Sequence, residues 1–509
     1  MNAADVILDP ALKEGRGSQL AVIAGAWTLT YDALEKRVNR FAHAVRAAGV
    51  KRGQPVLLLM KDTPDLVCAY LGIMRSGAVS CSLNTRLVGA DIAYIMQDSG
   101  APLILVDRDF LPLVESLKGQ VNPFPRVEVR DGPGEGFAAF LAGQPETRQS
   151  ADMRPDELCL LSYTSGTTGK PKGVEHMHGS IEPGERHTRW MSVKGGDRVF
   201  STSKLFFTYA IACGMMGTLM VGATMILNED WPDAAIVAAI VEREKPDIVY
   251  SVPSMYQRIL SEGIAGKDCF KKVRAYVSAG ERLPEGVCRN WMDATGSLLL
   301  EGIGTTEVLF LFITTTPTAL KPGFCGKPVP WVKVKITDGE GNAIGAPNES
   351  GTLWVQMPSV FKGYRNKPEL TAAVFKDGWW RTGDVFAFDE DGWWYTPGRA
   401  DDMLKISGQW VSPTEVEEVA MTVPGILEAA AVGAPNKDGL IRLTLFAVAD
   451  PGEPLEALEQ RVVETLRQNL AIYKCPRHVR FIEAMPRTPT GKMQRFKLRE
   501  RLVAEAASS

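Results

Sequence analysis

The decapeptide TSGTTGKPKG, residues 164–173, decides how the rest of the chain is read. Gly166, Gly169 and Gly173 open backbone conformations closed to other residues, so successive N–H groups can converge on an anion with no Cβ in the way. Thr164, Ser165, Thr167 and Thr168 add hydroxyl donors, and Lys170 and Lys172 add positive charge. Pro171 prevents a helix from running through the loop. Such a loop suits an oligophosphate. It differs from the G-x-x-x-x-G-K-[ST] loop that opens directly into a helix, because that spacing is missing and no helix can start after Lys170. Gly, Ser, Thr and Pro also make ordinary surface turns, so the flanking sequence has to decide between the two.

Outward from this loop the texture is that of layered α/β structure. Runs such as PVLLLM (55–60), APLILVD (101–107), DIVYSVP (247–253) and KVRAYVSAGERLP (272–284) read as buried strands. They alternate with helical patterns such as DLVCAYLGIMRSG (65–77), which ends on Gly77. In sheets of this kind functional loops lie beyond the carboxyl ends of the strands. From about residue 325 short strands and Gly-rich turns take over, as in VKVKITDGEGNAIG (332–345), and predict a small antiparallel or barrel-like subdomain. Residues 401–509 read as a compact α+β unit, with a boundary near 400 and Asp401 in the linker. The Thr414-x-x-Glu417 spacing predicts a capped helix start, with Pro413 beside it.

At 509 residues the chain is too long for one hydrophobic core. A net charge of −3 gives no electrostatic footprint for nucleic acid or a membrane surface. No apolar run approaches the roughly 18 residues of a membrane span, and the N-terminus lacks a basic patch followed by an apolar core. The 8 cysteines are scattered without a C-x-x-C pair, as expected of thiols in a reducing cytoplasm, and the 5 histidines do not have zinc-ligand spacing.

Four further stretches carry chemistry. EGIGTTEVLF (301–310) pairs Gly302 and Gly304 with Thr305, Thr306 and Glu307, a set able to meet an α-phosphate and a hard cation such as Mg²⁺. WWRTGD (379–384) places Asp384 where its two oxygens can accept both ribose hydroxyls. VSAGERLP (277–284) is a strand-end turn able to approach a flat ligand. MPRTPTGKMQRFKLRER (485–501) carries Lys492 on a loop, a point charge that can be delivered to a phosphate.

In their order and spacing, TSGTTGKPKG, GIGTTE, WRTGD, GRADDMLKISG and PRTPTGK closely resemble the adenylate-forming acyl-CoA synthetases, and the resemblance spans essentially the whole chain. It implies a large N-terminal domain over 1–400, which binds ATP and the acid, and a small mobile C-terminal domain over 401–509. It implies ATP, CoA and Mg²⁺, and an acyl-CoA thioester formed through an acyl-adenylate. By the same likeness, Thr164 to Gly169 and Lys172 hold the β- and γ-phosphates. Ser278, Ala279, Gly280 and Glu281 border adenine, with Gly302, Ile303, Gly304 and Thr305 on its other side. Ile303 stands where an aromatic residue is common. Thr306 meets the α-phosphate, Glu307 the metal, and Asp384 with Arg399 the ribose. Lys492 stabilises charge during adenylation. Asp401 is the hinge, and Gly408 lies beside pantetheine.

Within the superfamily, STSKLFFTYAIACGMMGTLMVGATMIL (201–227) looks most like the benzoate–CoA ligase branch. That likeness puts Phe206, Phe207, Thr208, Tyr209, Ala210, Gly304 and Phe310 around the acid. Phe310 replaces a common His, and Ala210 replaces a common Gly. Alicyclic and medium-chain acids stay open as substrates, as does a carrier protein in place of free CoA. Monomer and homodimer are both compatible with the sequence.

Overall fold

The computed structural model describes residues 1–131, 136–164, 170–399, 404–406, 409–435, 441–476, 478–487 and 493–508. They divide into two compact units, one made of Met1–Val334 with Val355–Trp380, the other of Lys335–Trp354 with Arg381–Ser509.

Two mixed sheets organise the first unit. In the seven-stranded sheet the order is Gly363–Tyr364, Lys172–Met177, Leu158–Thr164, Val79–Ser82, Pro55–Leu59, Leu103–Asp107 and Arg126–Arg130. Pro55–Leu59 and Leu103–Asp107 are buried at every position, which explains why both are apolar throughout except for Asp107 at the end of the second. The helix Pro64–Ser76 starts where the Thr63 side chain accepts from the Leu66 N–H and Pro64 fills the first turn; it stops at Gly77, whose φ of 90° few side chains tolerate.

The nine-stranded sheet runs Lys327–Pro328, Ile313–Thr314, Leu298–Ile303, Ala275–Ser278, Ile248–Ser251, Arg198–Ser201, Thr224–Ile226, Leu20–Ala24 and Trp27–Thr30. Arg198–Ser201 is parallel to the strands on both its sides, and the chain continues from it in both directions. This is a topological switch point, and the crevice beyond it is where ligands bind in open α/β sheets. Residues 202–209 leave its carboxyl end. They lead into a π-helix, Ala210–Gly217, buried at every position.

In the second unit Asp384 pairs with Arg399 and Val385 with Gly398 across an antiparallel ladder. A three-stranded sheet orders Ile426–Pro435, Ile441–Ala449 and His478–Phe481. The helix beside it, Pro413–Met421, is capped by Ser412, whose side chain accepts from the Glu415 N–H. The expected Thr414–Glu417 cap is thus displaced by two residues. Glu417 is buried and used elsewhere: its carboxylate accepts from the Ala431 N–H at 2.8 Å and from Arg495 at 2.7 Å. Among the described residues no helix is long and apolar enough to cross a membrane.

Candidate active site

The ends of two neighbouring parallel strands supply the first part of the site. Ser278 closes Ala275–Ser278 and lies in register with Glu301 of Leu298–Ile303. Beyond Ser278 the chain turns through buried Ala279 and through Gly280 at φ 88°. A Cβ at Gly280 would meet only Val252, 3.7 Å away, so backbone conformation rather than crowding calls for glycine. Glu281 is exposed. On the adjacent strand Gly302 and Ile303 pair with Thr314 and Ile313, and a Cβ on Gly302 would stand 2.6 Å from the Leu311 side chain. Two hydroxyls near these ends, Ser278 Oγ and Thr305 Oγ1, are buried without a hydrogen-bond partner among the described residues. Orphaned buried hydroxyls at strand ends are what a polar ligand such as a nucleotide would satisfy.

The segment 304–311 is held at successive points. The Thr306 carbonyl accepts from His176 Nε2 at 2.7 Å, and the Glu307 carbonyl accepts from the Phe361 N–H at 2.7 Å. Tyr364 Oη donates to Glu307 Oε1 at 2.8 Å, and Ser359 Oγ donates to the Val308 carbonyl at 2.7 Å. Leu309 adopts φ 63°, a backbone conformation costly for a bulky side chain. The Leu311 carbonyl accepts from His187 Nδ1 at 2.9 Å. Trp331 Nε1 donates to His187 Nε2 at 2.8 Å, so the imidazole carries its proton on Nδ1. Burial pushes the pKa of both His176 and His187 down to about 4 and keeps the rings neutral.

The phosphate-loop candidates border the same segment. Thr164 ends Leu158–Thr164 and pairs with Lys172, which begins the next strand. Lys172 Nζ stands 5.1 Å from the centre of the Tyr364 ring, the ring whose hydroxyl holds Glu307. A phenol on one carboxylate oxygen orients the other, and an oriented carboxylate beside threonine hydroxyls is a donor set suited to a hard divalent cation.

The acid-pocket candidates fall into two groups. In the first, Phe206 packs on Phe207 at 4.6 Å between ring centres and on Trp231 at 5.8 Å. Phe206 also lines a cavity of about 310 Å³, whose walls include Asp62, Arg86 and Lys204. Thr208 and Ala210 are buried. Tyr209 stands edge-on to Tyr250, and its hydroxyl donates to the Val277 carbonyl at 3.0 Å, tying this segment to the strand that ends at Ser278. The polar tip of Tyr209 is therefore committed to backbone. In the second group Phe310 is buried, stacked on His187 at 5.3 Å and 16° between planes, and a Cβ on Gly184 would come within 2.7 Å of it. Gly304 joins this group through Leu311, whose side chain a Cβ on Gly304 would meet at 3.0 Å.

In the second unit the Asp384 N–H donates to Thr382 Oγ1 at 3.1 Å, and its strand partner is Arg399. Ser165, Gly166, Thr167, Thr168, Gly169, Asp401, Gly408 and Lys492 lie outside the described residues. His176, His187, Trp331 and Tyr364 are neighbours of the candidate residues, directly or through one another, that sequence reasoning missed. Tyr364 is 57 residues from Glu307, and His176 is 130 from Thr306, so no local spacing signals either contact.

Comparison with known proteins gives the class. Residues 12–365 match the AMP-binding enzyme family, and residues 415–492 match the AMP-binding enzyme C-terminal domain. The chain belongs to the AMP-binding enzymes, and among them it is an acid–CoA ligase, with ATP and CoA as substrates. It is 47% identical to the 3-hydroxybenzoate–CoA ligase of Aromatoleum sp. (strain CIB), over 99% of this chain and 97% of that one. It is 39% identical to the benzoate–CoA ligase of Thauera aromatica, over 98% of this chain and 95% of the relative. Among solved structures it is similar to an anthranilate CoA ligase in complex with anthranoyl-AMP, with a TM-score of 0.93 and 32% identity, covering 99% of this chain and 98% of that one.

Proposed function

We propose that this enzyme joins a benzoate-class acid, with a ring-hydroxylated benzoate as the leading candidate, to CoA through an aroyl-adenylate. The observation that carries the reading is the near-full-length likeness, at 47% identity, to a ligase for 3-hydroxybenzoate. The site supports it: Tyr209, whose hydroxyl proton is given to Val277, presents an aromatic face that suits a flat ring.

In the first half-reaction a carboxylate oxygen of the acid attacks the α-phosphorus of ATP and pyrophosphate leaves. Thr164, the segment 165–169 and Lys172 hold the β- and γ-phosphates, Ser278 to Glu281 and Gly302 to Thr305 border the adenine, and Asp384 with Arg399 binds the ribose. Thr306 meets the α-phosphate, and Glu307 holds Mg²⁺. Bound there, Mg²⁺ supplies charge neutralisation at the phosphate oxygens. Lys492 adds a positive charge during this step. No enzyme nucleophile is needed, because positioning and electrostatics lower the barrier. In the second half-reaction the CoA thiol attacks the acyl carbon and AMP leaves. The chain turns about Asp401, and Gly408 leaves room for pantetheine. Free thiols, six of them buried, suit a reducing cytoplasm.

The test measures acid-dependent pyrophosphate release and CoA-thiol loss together, for benzoate, 2-, 3- and 4-hydroxybenzoate, cyclohexanecarboxylate and linear acids. The reading expects highest kcat/KM with a ring-hydroxylated benzoate and equal rates of the two signals. Turnover confined to aliphatic acids overturns the substrate, and pyrophosphate release without thiol loss overturns CoA as acceptor.

A further inference from the structure

We infer that His176 is a positioning residue for adenylation: its imidazole ties the strand that follows the phosphate loop to the turn carrying Thr306 and Glu307, and so sets the distance between the two halves of the triphosphate site. The inference rests on the reading of Thr306 and Glu307 given above.

His176 belongs to Lys172–Met177, the strand that begins at Lys172 and pairs back to Thr164. At its other edge the strand pairs with Gly363–Tyr364, with Val174 opposite Tyr364 and Glu175 opposite Gly363. Two side chains reach from this pair of strands to the turn: His176 Nε2 to the Thr306 carbonyl at 2.7 Å, and Tyr364 Oη to Glu307 Oε1 at 2.8 Å. A carbonyl only accepts, so the His176 proton sits on Nε2. Nδ1 is then a buried acceptor, and no described residue donates to it. An unpartnered buried nitrogen lowers stability, and an apolar side chain of similar size would spare that cost. What histidine supplies here, and methionine or leucine does not, is the bond to Thr306. Tyr364 fixes where the carboxylate points; His176 fixes where the backbone that bears it stands.

Three variants test this. In H176Q the side-chain amide reaches the place of the imidazole Nε2 and donates to the same carbonyl. In H176N the amide stays polar but stops short, and in H176M the donor is gone. Acyl-adenylate formation is measured by pyrophosphate release, thioester formation from supplied aroyl-adenylate and CoA, and ATP binding by calorimetry with and without Mg²⁺. We expect H176M and H176N to lose about 100-fold in kcat/KM for ATP, as a displacement near 1 Å does. Both should also lose most of the Mg²⁺-dependent gain in ATP affinity, and both should retain thioester formation. H176Q should recover adenylation to within about tenfold of the parent, one hydrogen bond's worth. Equal adenylation in H176Q and H176N, or equal losses in both half-reactions, overturns the inference. Should H176M fail to fold, the Gln and Asn pair still decides. Glu307→Gln separates this from the underlying reading: if E307Q keeps full Mg²⁺-dependent adenylation, the reading of Glu307 falls and takes this inference with it; if E307Q is crippled while folded H176M is not, only the role of His176 falls.

Discussion

Removing one oxygen, Tyr209→Phe, tests whether the acid is met by a ring face or by a hydroxyl. The Val277 carbonyl receives two phenols at once, from Tyr209 at 3.0 Å and from Tyr256 at 3.0 Å. When Tyr209 loses its hydroxyl, Tyr256 still satisfies the carbonyl and no buried acceptor is orphaned. The loss is then one ordinary hydrogen bond, about 0.5–1.5 kcal/mol, or a drop of roughly 1–4 °C in the thermal midpoint for a unit of this size. Burial pushes the Tyr209 pKa well above its usual value, so at working pH the group is always the donor in that bond and has no second proton for a substrate. The kcat/KM for benzoate and for its hydroxylated analogues should therefore stay within about threefold of the parent, well under the tenfold that 1.4 kcal/mol represents. Pyrophosphate release with each acid, read beside a thermal melt, is the assay. A fall of about 100-fold for the hydroxylated acids alone, with an unchanged midpoint, would refute the argument by showing that the phenol bonds the substrate.

Tyr364→Phe frees the Glu307 carboxylate from its phenol; a hydrogen bond to a charged group is worth about 1.5–3 kcal/mol, so adenylation at limiting Mg²⁺ should fall roughly 10–100-fold while thioester formation from supplied aroyl-adenylate holds. Lys492→Ala should cripple acyl-adenylate formation far more than thioester formation from supplied adenylate, and equal losses in both would remove Lys492 from the first step. His176, His178 and His187 are held neutral by burial, with folded pKa values near 4 against about 6.5 in the unfolded chain. As pH falls through that window the unfolded state takes up protons first, so each histidine removes about 3 kcal/mol of stability between pH 6.5 and 4. Denaturant unfolding of the protein at pH 7, 6 and 5 should show steadily lower midpoints, and a flat series contradicts this assignment.

Much of the architecture follows from short apolar runs. Residues 55–59 and 103–107 are buried on both faces, so their sequence has no alternation to misread, and Thr63, Pro64 and Gly77 mark both ends of their helix. At the helix that starts at 413 two cap spacings overlap: Ser412-x-x-Glu415 and Thr414-x-x-Glu417 differ by two residues, and only tertiary contacts send Glu417 to Ala431 and Arg495. The chemical motifs were legible because each packs its functional groups into a few consecutive residues. Their supports were not. His176, Tyr364 and Trp331 act through single bonds across the fold, and a lone buried histidine or tyrosine reads in sequence as core. The hydroxyl of Tyr209 was equally opaque, since its partner is a carbonyl on a strand 68 residues away.

The π-helix Ala210–Gly217, entered directly from Tyr209, has a consequence for how such enzymes diversify. A π-helix closes its bonds over five residues, one more than an α-helix, and so stores a removable residue in each wide turn. Losing one residue from 210–217 lets that turn relax to α geometry while the elements on either side keep their register, because the wide turn already held the extra residue. The strand Arg198–Ser201 and the segment 206–209 would stay in place, and the change would fall on the buried side chains of the turn itself. A single in-frame codon deletion is thus a short mutational path to a repacked set of buried side chains next to Tyr209, where point substitutions change one side chain at a time.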